Sequence, residues 1–335
     1  MLVKGGTLLL GENLEVKNKD LRIANGSIME IADDLLPMQG EEIFNATDFL
    51  ITPGFINAHF HPTHSVSKGI IDGYNWDTGL SVLYHVDVKK SDDDRYWTSL
   101  LGFGQTLLSG VTSTAVLTSN IVGEAKAAQK LGLRTFLAKS YSDVYLKEGP
   151  APRMMTIDEI RKDFEKMRVD FQSELTEVIF GLASDLSVSD DLFKLARELA
   201  TQHRTSIQIH SSEMRSMVRQ FQNDRGKHPV LHYRDIGFLS DRVMLVHMTQ
   251  IDRADVLEAL QQSGAHIVHC PVANAKLADG ILPLAEVQKR GINIAFGTDA
   301  DINNNSSNIL SDMKSAVLLH ASHQYKADAL SHVDV

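Results

Sequence analysis

From residue 51 onward, short apolar runs with strand character alternate with longer amphipathic segments. Eight of these runs are predicted to be strands: 55–61, 111–117, 134–140, 178–183, 206–210, 243–247, 266–270 and 293–299. Seven predicted helices lie between them, at about 92–109, 121–131, 156–173, 189–203, 213–224, 252–263 and 281–290, and the segment 308–323 follows the last strand. Strands that alternate with helices pair in parallel, and eight such units close into a TIM-type (β/α)8 barrel. The predicted fold class is therefore α/β, with the barrel over residues 51–335.

Residues 1–50 have a different pattern, in which short β runs are separated by turns. Asn25-Gly26 stands between two apolar runs, and this dipeptide is the strongest short-range signal for a β-hairpin. Residues 1–50 are therefore predicted to form a small β-rich domain in front of the barrel.

The composition limits the partners of the chain. A formal net charge of −10 over 335 residues disfavours nucleic acid and anionic membrane surfaces as partners. No apolar run is long enough to span a bilayer, and the N-terminal residues do not resemble a signal peptide. The single cysteine, Cys270, cannot form an internal disulfide and fits a reducing compartment. We therefore expect a cytoplasmic protein with no nucleic-acid or membrane partner.

Several predicted barrel strands end in residues that can bind a metal or transfer protons. His59 and His61 are two residues apart on the first strand, so their side chains point to the same face. Later strands end in His210, His247, His269 and Asp299. The carboxyl ends of barrel strands form one rim, where active sites lie. A single histidine at a strand end more often has a structural role, but this shared position predicts a metal-dependent active site.

Five motifs surround these strand ends: Pro53-Gly54-Phe55-Ile56 followed by His59-Phe60-His61, His210-Ser211-Ser212-Glu213, His247, the run from His269 through Asn274 to Gly280, and Gly297-Thr298-Asp299. Together they resemble the amidohydrolase superfamily. Within it they are similar to the chlorohydrolase and cytosine-deaminase-like branch, which includes guanine, S-adenosylhomocysteine and pterin deaminases and triazine hydrolases. The resemblance extends over nearly the whole chain, to about residue 330.

The resemblance implies a ligand set and a mechanism. One divalent ion, Zn²⁺ or alternatively Fe²⁺, would be held by His59, His61, His210 and Asp299. The ion would activate a water to hydroxide near neutral pH. Glu213 would carry protons to the substrate ring and the leaving group, His247 would orient or deprotonate the water, and Asp299 would share the proton transfer. The implied activity is hydrolytic deamination of an amino-substituted N-heterocycle: a purine, pterin, pyrimidine or triazine.

Three further residues are predicted to contact this small heterocyclic substrate: His269, Asn274 and Trp76. His269 ends the seventh strand and Asn274 follows it, so both lie at the rim. Trp76 lies in the loop after the first strand, where an aromatic side chain could stack on a flat ring. Packing of this loop onto the barrel is an equally good interpretation of the tryptophan.

Two departures from the branch bear on the alternatives. Members often carry a substrate-contacting histidine after the fourth strand, where this chain has Ser184-Asp185, and this counts against an adenosine-type substrate. No lysine ends the fourth strand, which disfavours a two-metal site with a carbamylated lysine, although Lys139 ends the third. Dechlorination or cyclic amide hydrolysis on the same site stays open, as does an inactive, truncated relative.

Members of the superfamily usually continue beyond the point where this chain ends, and their later strands complete a β-sandwich. Residues 1–50 are therefore expected to form a partial β-sandwich domain, and residues 51–335 a barrel domain that lacks the family's C-terminal part. An incomplete sheet leaves edge strands and apolar faces unpaired. A homodimer in which a neighbouring chain covers them stays open.

Overall fold

The structure is a computed structural model that describes residues 1–11, 15–146 and 153–330, apart from the side chains of residues 76, 77 and 80. The chain forms two compact units, Met1–Gly54 and Phe55–Val335. Within the described residues, no helix combines the length and the apolar character needed to cross a lipid bilayer.

The first unit is built on a five-stranded sheet. β1 (Leu2–Leu10) pairs antiparallel with β2 (Glu15–Ala24), β2 pairs antiparallel with β3 (Ser27–Ala32), and β4 (Ile43–Asn45) and β5 (Leu50–Ile51) run parallel to β1. The predicted hairpin is confirmed, since Asn25 and Gly26 turn between β2 and β3 with φ of 51° and 72°. Within residues 1–11 and 15–54 there is one sheet rather than two facing sheets, and apolar side chains such as Ile28 and Met29 are more than half exposed.

The second unit contains nine parallel strand segments within the described residues: β6 (Phe55–His61), β7 (Val111–Thr118), β8 (Arg134–Tyr141), β9 (Thr176–Ser184), β10 (Ile207–Ser211), β11 (Val243–His247), β12 (His266–His269), β13 (Ile294–Phe296) and β14 (Asp299–Ala300). They pair in chain order from β6 to β13, and β14 pairs with β6. Because only Gly297 and Thr298 separate β13 from β14, these are two halves of an eighth strand that closes the sheet. The predicted TIM-type barrel is confirmed.

The prediction of one continuous eighth strand over 293–299 is wrong, because this strand passes very close to the first. A Cβ on Gly297 would lie 2.7 Å from His59 Cβ, so only glycine fits there. At the next residue, Thr298 N donates to Asn57 Oδ1 at 3.1 Å and Asn57 Nδ2 donates to Thr298 Oγ1 at 2.8 Å. Side-chain hydrogen bonds thus join the two strands at Thr298, between the backbone pairing of β13 with β12 and that of β14 with β6.

The described helices are α1 (Trp76–Asp87), α2 (Asp92–Leu108), α3 (Val122–Leu131), α4 (Ile157–Phe171), α5 (Asp190–His203), α6 (Arg215–Arg225), α7 (Pro229–Asp235), α8 (Ala254–Ser263), α9 (Pro271–Leu277), α10 (Leu284–Lys289), α11 (Asp301–Asn304) and α12 (Ile309–Gln324), with 3-10 turns at Pro62–His64 and Asp185–Ser187. The seven predicted helices are all present, with ends shifted by a few residues, and the segment after the last strand forms α12. Four helices were not predicted: α1, α7, α9 and α11. Proline at the first position of α7 and α9 is a helix-start signal that the sequence does carry.

The hydrophobic core fills the space between the strands and the surrounding helices. Phe164 of α4 packs against Phe180 of β9 with ring centroids 4.9 Å apart. Phe193 of α5 lies 4.9 Å from Tyr233 of α7 and 4.7 Å from Phe238. These aromatic contacts fix the helices against the barrel and so hold the strand ends in place.

Gly181 of β9 is expected to tolerate no side chain. A Cβ there would lie 2.2 Å from the backbone oxygen of Lys139 and 2.8 Å from Leu117 Cδ1. The neighbouring strand cannot yield without losing its pairing, so Gly181→Ala should lower the free energy of unfolding by about 1–3 kcal/mol. Gly104 of α2 is the control, because a Cβ there meets no atom within 4 Å. Gly104→Ala should be neutral or stabilising, and equal losses in the two variants, measured by denaturant unfolding, would contradict this account.

Candidate active site

Four of the predicted side chains converge at the carboxyl ends of the barrel strands. Asp299 Oδ1 lies 3.4 Å from His59 Nε2 and 3.3 Å from His61 Nε2. His210, which comes from β10 across the barrel, places its Nε2 3.4 Å from His61 Nε2. Residues from three distant parts of the chain therefore meet in one cluster.

Two hydrogen bonds determine which ring nitrogens face this cluster. His59 Nδ1 lies 3.1 Å from Gln208 Oε1, and that amide is oriented because Gln208 Nε2 donates to Ala58 O at 2.9 Å. His210 Nδ1 lies 2.5 Å from Ala183 O. Because both partners are acceptors, each Nδ1 carries a proton. Nε2 of each neutral ring is then unprotonated, and its lone pair faces the cluster.

The cluster is consequently rich in acceptors. The Asp299 carboxylate faces imidazole nitrogens at 3.3–3.4 Å, and His59 Nε2 is buried with no hydrogen-bond partner in the described part of the chain. Acceptors at this separation repel one another unless a proton or a cation lies among them. Burial lowers the pKa of His59 and, together with the adjacent imidazoles, holds that of His210 well below its usual value, which disfavours the proton. The arrangement suits a cation.

Glu213 and His247 lie together beside the cluster. Glu213 Oε1 is 3.6 Å from His247 Nε2, and both side chains are buried. The loop after β10 that carries Glu213 is held by two bonds: Ser212 N donates to Asp185 Oδ2 at 2.7 Å, and the Thr249 hydroxyl donates to the Glu213 carbonyl. Burial lowers the pKa of His247 to about 3. The pair therefore presents a carboxyl group and a neutral imidazole to the same space.

The backbone at this rim adopts an uncommon conformation. Ser212, His247, Met248 and Asp299 have φ of 49°, 76°, 53° and 60°. Residues other than glycine rarely adopt these left-handed values, because Cβ then crowds the backbone. Ser212, His247 and Met248 lie at or just after strand ends and Asp299 begins β14, so these bends direct the functional side chains toward the cluster.

Comparison with known proteins places this geometry in a family. The profile of the amidohydrolase family matches residues 50–335. The chain belongs to this family. The predicted superfamily and the predicted class, a hydrolase acting on carbon–nitrogen bonds, are thereby confirmed.

This amidohydrolase is 30% identical over 324 residues to 5-methylthioadenosine/S-adenosylhomocysteine deaminase of Thermococcus sibiricus, an alignment that covers 96% of the chain and 75% of the relative. It is similar to the crystal structure of an adenosine deaminase from Xanthomonas campestris with bound zinc, with a TM-score of 0.87, 22% identity, and coverage of 99% and 76%. It is also similar to atrazine chlorohydrolase from Arthrobacter aurescens complexed with zinc, with a TM-score of 0.89, 19% identity, and coverage of 97% and 77%. The two structural likenesses support the fold.

The three predicted substrate contacts have different surroundings in this amidohydrolase. His269 is buried at the end of β12, 5.7 Å from the Phe296 ring, and neither of its ring nitrogens has a hydrogen-bond partner among the described residues. Asn274 directs its amide nitrogen to His247 Nδ1 at 3.0 Å. Trp76 is the first residue of α1 rather than part of a loop, and its side chain lies outside the described part of the structure.

Lys139, the residue that kept a two-metal alternative open, is engaged elsewhere. Its Nζ lies 2.7 Å from Asp163 Oδ2 on α4, and the Tyr141 hydroxyl donates to the same oxygen at 2.8 Å. The Lys139 amine is thus held by an ion pair with helix α4.

Three residues that shape the site were given no role in the sequence predictions: Gln208, Asp185 and Asp279. Gln208 precedes His210 by two residues, so strand periodicity places both on one face, and this signal could have been used. Asp185 begins a 3-10 turn and Asp279 lies in a loop, and their partners, Ser212 and Asn274, are identified only by the folded chain.

Proposed function

We propose that this amidohydrolase is a metal-dependent hydrolytic deaminase of an amino-substituted N-heterocycle: a purine, pterin, pyrimidine or triazine. One divalent ion, Zn²⁺ or alternatively Fe²⁺, is held by His59, His61, His210 and Asp299. The observation that carries the proposal is the cluster of facing acceptor atoms next to a buried carboxyl–imidazole pair.

The donor set supports a resident metal. Three imidazole nitrogens and one carboxylate are the ligands that Zn²⁺ and Fe²⁺ accept in catalytic sites. The hydrogen bonds from His59 to Gln208 and from His210 to the Ala183 carbonyl present Nε2 to the ion, which is how metal-binding histidines are normally oriented.

The residues around the cluster supply the proton transfers. When bound, an ion at this site acts as a Lewis acid and lowers the pKa of a water molecule toward neutrality. Glu213 accepts one proton of the water on its carboxylate and delivers it to a ring nitrogen, and it then carries the second proton of the water to the leaving amino group, with Asp299 sharing the transfer. Water adds to the ring carbon, the carbon–nitrogen bond breaks, and the products are ammonia and a ring carbonyl. Burial of Glu213 and His247 excludes bulk water and strengthens these interactions.

The relatives determine which of the proposed substrates comes first, and they outweigh the missing histidine that counts against an adenosine-type substrate. The Thermococcus sibiricus relative is named a deaminase of 5-methylthioadenosine and S-adenosylhomocysteine, so aminopurine nucleosides come first among the proposed substrates. Where the branch often has a histidine after the fourth strand, Asp185 accepts hydrogen bonds from Ser212 N and the Tyr233 hydroxyl. Since Asp185 is occupied in this way, other residues must contact the heterocycle, and we assign this role to His269 and Trp76.

Removing the side chain that hydrogen-bonds to His59 Nδ1 should weaken metal binding. Gln208→Leu deletes the acceptor that holds His59 Nδ1, so Zn²⁺ affinity should fall about 10- to 100-fold, as measured by competition with a chelator. Gln172→Leu is the control, because Gln172 accepts one hydrogen bond from Val178 N, distant from the cluster. Unchanged affinity in Gln208→Leu would argue against the orientation of His59 described above.

Metal content and ammonia release test the proposal together. After incubation with Zn²⁺ or Fe²⁺ and desalting, we expect about one ion per chain. The loaded protein should then release ammonia from at least one member of a panel of aminated purines, pterins, pyrimidines and triazines. Two tightly bound ions would refute the single-ion site, and no bound ion would refute a preformed one. Chloride release or ring opening without ammonia would identify the alternative hydrolase activities.

The cellular setting and assembly belong to the same proposal. Cys270 is buried, and burial raises the pKa of its thiol, so the side chain stays in the uncharged thiol form that packs as a small apolar group. We propose a cytoplasmic enzyme and keep the homodimer as a hypothesis, which the mass of the chain in solution tests.

A further inference from the structure

A line of three polar side chains extends behind His247, on the side away from Glu213. Asn274 Nδ2 lies 3.0 Å from His247 Nδ1 and 3.2 Å from Asp279 Oδ2. All three side chains are buried, with relative exposures of 1% for His247, 1% for Asn274 and 4% for Asp279. The line therefore runs from an ionisable group through an amide to an imidazole of the active site.

The hydrogen-bonding capacity of each group determines which atom donates and which accepts at each contact along this line. An ionised carboxylate only accepts, so the Asn274 atom next to Asp279 must be the NH₂ group. The same nitrogen approaches His247 Nδ1, and its second hydrogen can bond there only if Nδ1 is a lone pair. A neutral His247 ring then carries its single proton on Nε2, the nitrogen 3.6 Å from Glu213 Oε1.

The backbone around Asp279 keeps the carboxyl group in position. Asp279 N donates to Asn274 O at 3.0 Å, and Asp279 O accepts from Gln250 Nε2 at 2.6 Å. Asp279 Oδ1 has no hydrogen-bond partner among the described residues. A buried carboxyl group with one unpaired oxygen costs more free energy than a single amide hydrogen bond returns, so this group does not stabilise the fold.

We propose that Asp279 is a positioning residue that acts through Asn274 to hold His247 in the tautomer with its proton on Nε2. His247 then donates a hydrogen bond toward the reacting atoms and does not remove a proton from them. The inference rests on the proposed function, and it decides between the two roles, orienting or deprotonating the water, that the resemblance leaves open for this histidine. Proton acceptance is left to Glu213 and Asp299.

The test compares two variants by a direct reading of the tautomer. Asp279→Asn removes the charge that orients the amide. The double variant Asn274→Asp/Asp279→Asn keeps the two residue types and the net charge but reverses the hydrogen bonds, since a carboxylate at 274 accepts from Nδ1. Nitrogen-15 NMR of histidine-labelled, Zn²⁺-loaded protein distinguishes the tautomers, with the His247 signals assigned by their loss in His247→Gln. Spectra are recorded at pH 8, because burial raises the pKa of Asp279 to about 7.

The original protein should show His247 protonated on Nε2, and the double variant should show it protonated on Nδ1. In the double variant kcat should fall at least about 10-fold with little change in KM, because a donor to the reacting atoms is lost. Asp279→Asn should show a mixture of tautomers and a smaller loss. A matched control is Asn304→Asp/Asp312→Asn, which reverses another buried pair, with Asn304 Nδ2 3.0 Å from Asp312 Oδ2, and should leave the His247 tautomer unchanged.

Three results would overturn the inference: His247 protonated on Nδ1 or on both nitrogens in the original protein, an unchanged tautomer in both variants, or a reversed tautomer with full kcat. If the double variant does not fold, the tautomer in Asp279→Asn decides. The spectra need no substrate, so a failure to find ammonia release would refute the proposed function separately from the role of Asp279.

Discussion

Glu213→Gln is expected to bind metal normally and to lose activity by about 10²- to 10⁴-fold in kcat. Glutamine keeps the shape of the side chain, so the loop fixed by Asp185 and Thr249 should be unaffected. It cannot accept a proton and return it, and the proposed reaction needs that step twice, at the ring nitrogen and at the leaving group. Steady-state ammonia release together with metal content measures both parts of the expectation.

Glu198→Gln serves as the control for this substitution. Glu198 lies on α5 and pairs with Arg161 at 2.8 Å on the surface, so kcat should not change. Normal turnover by Glu213→Gln would refute the proton-shuttle mechanism. Loss of metal from Glu213→Gln would instead place Glu213 among the ligands.

His210→Ala and Asp299→Ala should each lose the metal and, with it, measurable turnover. Each variant removes one of four converging ligands and leaves an open site. Removal of a ligand should lower Zn²⁺ affinity more than removal of Gln208, which does not touch the ion and for which a fall of roughly 10- to 100-fold is expected. Elemental analysis after desalting gives the metal content, and His203→Ala is the control, because His203 pairs with Glu165 on the helical layer. A variant at 210 or 299 that retained a full ion would exclude that residue from the ligand set.

The barrel was predictable because its signals are local and repeated. The strand Val243–His247, for example, has the same bounds in the structure as in the sequence prediction. Its apolar residues and the turns on either side define where the strand begins and ends. The eighth strand was not predictable in the same way. Its break at Gly297 is imposed by His59, a residue more than two hundred positions away, and no local pattern reports that contact.

The candidate site likewise contains residues that could be predicted from the sequence and residues that could not. Residues such as His59 and His61 could be predicted because metal ligands are chemically distinctive and lie at strand ends. The residues that orient them are ordinary polar side chains, and Asp279 acquires its relation to His247 only through Asn274. Which nitrogen of an imidazole carries the proton is a property of the assembled network.

The left-handed residues at the rim have a consequence for laboratory evolution of this enzyme. Ser212, His247, Met248 and Asp299 each hold a backbone conformation that costs on the order of 1–3 kcal/mol for a residue other than glycine. A screen that rewards heat resistance alone would recover glycine or asparagine at Ser212, His247 and Asp299, because both relieve that cost, whereas at Met248 the loss of a fully buried side chain would outweigh the gain. At His247 and Asp299 the substitution would also remove a group on which turnover depends. Thermostable variants should therefore be selected under a requirement for ammonia release, with Ser212 as the rim position open to change, because glycine there keeps the backbone N–H that donates to Asp185.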